Sequence, residues 1–178
     1  MAPYPPLMRW LHWSTAALVL IQISLVLLNR AVYEAYPVLS EALIQGHISL
    51  GALILCVTLV RFGVRQGLDV PPAPTRPFVR RTARTMHLTF YVLLCALPVI
   101  GYAQLAFLGF ELSLFSVVHL PSLPFNPTLA QTASLLHSSA GLFLGVLTLL
   151  HILVACFHRK LDGQPMLGRM LPSVKTRS

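Results

Sequence analysis

Four long apolar stretches alternate with three shorter connectors that are polar, Pro-broken or charged. The stretches run over about 11–29, 44–63, 87–109 and 133–157, each long enough to cross a hydrocarbon core about 30 Å thick as an α-helix. The pattern predicts an all-α fold: an integral membrane four-helix bundle, one domain over 1–178 with a tail at 158–178. The connector at about 64–86 carries Pro71, Pro72, Pro74 and Pro77 among its arginines and reads as an extended, solvated link. The connector at about 110–132 is apolar but broken by Pro121, Pro124 and Pro127. It is expected to lie on the outer face as a short amphipathic element. Pro98, inside the third stretch, predicts a kink.

Composition agrees with the pattern. Hydrophobic residues make up 56% of the 178 and charged residues 10%, well below the roughly 25% of a soluble domain. Only five acidic residues are present (Glu34, Glu41, Asp69, Glu111, Asp162), so paired-carboxylate chemistry is excluded. The net charge of +8 gains its meaning from its location. Of 13 Lys and Arg, 12 flank the bundle on one side and Arg30 stands alone on the other. That asymmetry sets a topology with both termini cytoplasmic and argues against nucleic acid as a partner. Trp10 and Trp13 read as interfacial belt residues on a retained first helix, since Leu27-Leu28-Asn29-Arg30 is no small-x-small cleavage site. Cys56, Cys95 and Cys156 all fall in the apolar stretches without a CxxC motif, so they read as small apolar residues buried in the membrane.

The chemistry rests with histidine. His137 and His151 lie fourteen residues apart on one apolar stretch. At about 100° and 1.5 Å per residue they share a face to within roughly 40° and stand roughly 21 Å apart, near opposite leaflets. Six of seven histidines occupy the apolar stretches or their ends: His12, His47, His87, His137, His151 and His158. Ionisable groups at that depth are costly and point to function. Neutral imidazole is an axial ligand for haem iron, and two per iron leave no open position, which suits electron transfer. Four residues beyond His12, His47, His137 and His151 stand Ala16, Gly51, Gly141 and Ala155, small neighbours on the same face. Beyond His87, His119 and His158 stand Tyr91, Leu123 and Asp162. By depth, His47 and His137 share the outer side. On the inner side His12, His87, His151 and His158 compete; small neighbours select His12 with His151, while His87 in place of His12 stays open. His87 and His158 are candidates for a quinone site, and His119 reads as a loop residue. Arg61, still inside the second stretch, is the candidate for a haem propionate; Arg65, Arg81 and Arg84 read as topology anchors. Asn29 and Gln104 have no assignable role.

Taken in order, several motifs resemble the bacterial cytochrome b561 family, related to the cytochrome b subunits of nickel hydrogenases and formate dehydrogenases. They are His12-Trp13; His47 with Gly51 and Arg61; the run Ala96-Leu97-Pro98-Val99-Ile100-Gly101; His137, His151 and His158; and Leu167-Gly168-Arg169-Met170-Leu171-Pro172. The resemblance covers roughly residues 7 to 172 and implies a bundle with two b-type haems, held by His12 with His151 and by His47 with His137. It further implies an inner-membrane protein exchanging electrons with ubiquinone, with superoxide or a redox protein as the outer-face partner. An alternative expectation is a membrane-anchor subunit of a larger dehydrogenase or hydrogenase. A haem-free metal transporter is disfavoured, because no apolar stretch has a central carboxylate.

Overall fold

The computed structural model describes residues 4–68, 76–162 and 167–170, with side chains 158–162 and 167 outside the description. Four helices form the molecule: α1 (Pro6–Val32), α2 (Pro37–Gln66), α3 (Pro77–Ala106) and α4 (Pro127–Asp162). Each has a proline as its first residue, where a missing N–H costs nothing and the fixed φ suits the helix. All four are long and apolar enough to cross a membrane. At 1.5 Å per residue, lengths of 27 to 36 residues give about 40 to 54 Å, so the helices project beyond the hydrocarbon.

The helix ends correct one expectation and the connector between α3 and α4 gives another its form. The link expected at 64–86 is mostly helical where described. α2 runs to Gln66, and α3 starts ten residues before the apolar stretch at 87, carrying Arg80, Arg81 and Arg84. Pro77 opens that helix, and its arginines are good helix formers rather than marks of a linker. Pro71, Pro72 and Pro74 lie outside the described residues. The connector expected as a short amphipathic element takes the form of a two-stranded antiparallel hairpin, β1 (Leu112–Leu114) and β2 (Val118–Leu120). Its turn places Phe115 and Ser116 at φ 52° and 58°, a left-handed conformation uncommon for a bulky residue. Tertiary bonds hold it there: Phe115 N–H donates to Ser49 Oγ at 2.9 Å, and Gln45 Nε2 donates to the Ser113 carbonyl.

Local caps finish the frame. Gly109, at φ 84°, turns the chain off the end of α3 with bonds back to Leu105 and Ala106. The returning connector then caps α3 through Leu123 N–H to Ala106 O (2.9 Å) and Asn126 N–H to Phe107 O (2.9 Å). Asn126 also starts α4, its Oδ1 accepting from Leu129 N–H at 3.1 Å. Asn29 gains a role as well, accepting from Ser40 Oγ at 2.8 Å to tie α1 to α2.

A buried cluster of Val19, Ile54, Leu94, Leu97 and Leu144 forms the centre, drawing on all four helices. Outside it, large apolar side chains face outward along the bundle, with Leu142 72%, Leu135 66% and Leu88 61% exposed. A surface that apolar matches lipid rather than water. Chain ends meet at one end of the bundle, where Tyr4 N–H donates to Arg169 O at 3.1 Å. That is the arginine end; the opposite one is the hairpin end.

Candidate cofactor site

Fourteen-residue spacing orders more than α4. His47 and Arg61 on α2, His87 and Gly101 on α3, and His137 and His151 on α4 are all fourteen apart, so each helix presents one member at either end of the same face. The buried residues Ile54, Leu94 and Leu144 stand midway, seven from each member, and Val19 stands seven from His12. One apolar layer therefore separates two clusters of imidazoles by about 21 Å.

At the hairpin end His47 and His137 face each other with ring centroids 6.0 Å apart and planes at 79°. Nδ1 of His137 lies 3.1 Å from the Leu97 carbonyl. A carbonyl can only accept, so this nitrogen carries the proton and Nε2 keeps its lone pair. Gly101 makes the approach possible: a Cβ there would stand 2.8 Å from Cε1 of the ring. Across the bundle, Gln22 Nε2 donates to the His47 carbonyl at 2.8 Å. Gly51 leaves room for it, since a Cβ at that position would come within 3.3 Å of the amide.

At the arginine end His151 has two neighbours. His12 lies 6.3 Å away and His87 6.1 Å away, centroid to centroid. Phe90 packs edge-on against His151 at 5.4 Å. Arg61 donates from Nη2 to Nδ1 of His12 at 3.1 Å and stands 5.7 Å over the Tyr91 ring, which Phe62 meets edge-on at 5.6 Å. Segments near the two chain ends pack beside this cluster. Trp13 Nε1 donates to the Met170 carbonyl at 2.9 Å, and buried Arg169 stacks on Tyr4 at 4.8 Å.

The structure thus brings together four of the residues singled out from sequence, His12, His87 and His151 with Arg61, and adds the unanticipated Tyr91 on Arg61. His47 and His137 form the second group. His119 lies on β2, exposed and away from both clusters. His158 is in the last turns of α4, and its side chain is outside the description. Arg81 lines an open groove with Phe78, Thr82 and Phe143 on the lipid-facing side of α3 and α4. Trp13 serves the tail contact as well as the interface. Missed at sequence level were Gln22, Tyr91 and the bond from His137 to Leu97; the fourteen-residue spacing of His87 and Gly101 was the available signal.

Four apolar helices carrying two opposed histidine clusters define the class of small membrane cytochromes b. Residues 3–173 match the family of prokaryotic cytochrome b561, and the chain belongs to it. It is 28% identical over 166 residues to cytochrome b561 homolog 2 of Escherichia coli (strain K12), covering 90% of this chain and 86% of that one. It is 27% identical over 171 residues to the probable superoxide oxidase CybB of Yersinia pestis, covering 95% and 96%.

Family membership implies a b-type haem, and the residues present suit such a group. A metal–imidazole bond of about 2 Å on either side, plus the ring radii, puts two rings sharing one iron roughly 6 Å apart. Three pairs here stand at 6.0, 6.3 and 6.1 Å. Nδ1 of His47, Nδ1 of His151 and Nε of Arg61 are buried without a hydrogen-bond partner, polar atoms that a polar group alongside would satisfy. A Cβ on Gly141, one turn from His137, would meet nothing within 4 Å. His12 differs: Arg61 donates to its Nδ1, so in the neutral ring Nε2 carries the proton.

Proposed function

We propose that the protein is a stand-alone dihaem cytochrome b of the bacterial inner membrane, a single domain with both termini cytoplasmic. In this reading it passes electrons between a redox partner at the hairpin end and ubiquinone at the arginine end. The opposed imidazole pairs at 6.0 and 6.3 Å, one at each end of one bundle, carry this reading. Bound haem supplies the chemistry, one-electron cycling of iron between ferric and ferrous states. The chain supplies ligands, spacing and charge.

His47 and His137 would hold one haem, and His12 and His151 the other. His137 is already in the ligating tautomer through its bond to Leu97. His12 becomes competent when Arg61 leaves its Nδ1. The freed guanidinium would then be available to hold a propionate, whose two oxygens match its fork. His87, on the far side of His151, stays available with His158 to hold and release protons at a quinone site. Val19, Ile54, Leu94 and Leu144 keep water out of the layer between the clusters.

Superoxide is the donor we name for the hairpin end, supported by the near full-length likeness to a relative named for that activity.

A reduced-minus-oxidised spectrum of the purified protein with a haem count is the first test. Two b-type haems per chain are expected, and no b-type band would remove the proposal. His137→Ala and His151→Ala should each lose one haem and keep the other. Stopped-flow reduction by superoxide, with and without ubiquinone, then tests the donor.

A further inference from the structure

Gly101 is the tightest glycine in the described structure. A Cβ built on it would lie 2.8 Å from Cε1 and 3.0 Å from Nδ1 of His137, distances at which something must move. The obstructed group is not the free end of a flexible chain but a ring already committed to a hydrogen bond. Its Nδ1–H donates at 3.1 Å to the carbonyl of Leu97, one turn before Gly101 on the same face of α3. Backing away from a methyl group would stretch that bond out of range, because the acceptor belongs to the α3 backbone and cannot follow. The bare backbone at Gly101 thus lets α4 lean its histidine against α3.

The other imidazoles of the two clusters lack this support. Nδ1 of His47 and Nδ1 of His151 are buried without a partner. Nδ1 of His12 faces the Arg61 cation. Among the described residues of the two clusters, only at His137 does Nδ1 meet a backbone carbonyl. An acceptor on the distal nitrogen makes an imidazole more basic at its ligating nitrogen and fixes its orientation, which favours the oxidised metal.

We propose that Gly101 is a positioning residue for the electron carrier at the hairpin end. By admitting the His137–Leu97 hydrogen bond, it keeps that carrier's reduction potential below the value an unsupported imidazole would give. This rests on the reading of His137 as a haem ligand.

The test is Gly101→Ala in the full-length, haem-loaded protein. Gly63→Ala serves as control, because a Cβ there meets nothing within 4 Å. Potentiometric titration should show one haem becoming easier to reduce. At a fixed ambient potential its ferrous-to-ferric ratio should rise about tenfold, equivalent to 59 mV for one electron. The second haem should not move, and affinity for the first should fall about 10- to 100-fold. Both potentials unchanged with both haems retained would overturn the inference. Should Gly101→Ala fail to fold, nitrogen NMR of wild-type protein with labelled histidine decides instead. A slowly exchanging Nδ1 proton on His137, close to the Gly101 α-protons, is expected; a proton on Nε2 or fast exchange refutes the contact. The NMR measurement does not need haem, so absence of a b-type band would sink the functional reading while leaving this contact to be judged separately.

Discussion

Arg61 donates to Nδ1 of His12 across 3.1 Å, and a guanidinium has no lone pair to offer in return. One side chain therefore controls whether His12 can present a lone pair at Nε2. Replacing it separates its two roles. Arg61→Gln should free His12 but remove the propionate partner, so haem at the arginine end should bind about 10- to 100-fold more weakly, while the other haem is unaffected. Haem titration of the apoprotein, followed at the two absorbance components, measures this. Arg61→Lys should recover only part of the loss, since a point charge does not reproduce the two-pronged contact. The same cluster shows what sequence could and could not reveal about residues. His12, His87, His151 and His158 are legible as inner-side candidates from depth alone. Small neighbours favour His12 as the partner of His151 and leave His87 open, and the fold keeps the His12 and His87 rings at nearly one distance from it. Tyr91 was not, because a tyrosine four residues after His87 has no pattern of its own. Its place beneath Arg61 arises only when α2 packs on α3.

At the scale of elements, prolines mark every helix start, and the apolar periodicity gave three of the helices their correct extent to within a few turns. The hairpin was invisible for a definite reason. Tight β-turns with positive φ normally advertise themselves by Asn or Gly, and here the turn residues are Phe115 and Ser116. What holds them is Ser49, buried on α2 and 66 positions away. Ser49→Ala should leave the Phe115 N–H without its acceptor and cost about 1 kcal/mol. In a detergent melt that is a fall of about 2–4 °C in Tm, accompanied by faster proteolysis within 112–120. Phe115→Gly should relieve the left-handed strain and offset part of that loss when combined with Ser49→Ala. The early start of α3 is hidden because arginines among prolines read as solvated chain, although Pro77 stands where a first helical residue belongs.

For the whole molecule, the distribution of charge is what carries the proposed orientation. In sequence order, twelve of 13 basic residues flank the four stretches on one side and Arg30 stands on the other. A reporter fused to Ser178 should therefore be active only where it functions in the cytoplasm, and one inserted in the hairpin turn only outside. The opposite pair of results would overturn the topology. The apolar character of all four stretches, their order, the crowding of arginine on one flank and the fourteen-residue spacing of histidines are properties of the sequence by itself. They follow from helix geometry and from the cost of leaving charge in hydrocarbon, neither of which depends on how the helices pack. Which ring faces which, that His137 leans on the Leu97 carbonyl through the gap at Gly101, that Arg61 holds His12, and that the connector between α3 and α4 forms a hairpin were decided only in the tertiary structure. Each depends on a close approach between segments far apart in the chain, and such contacts leave no periodic trace along it.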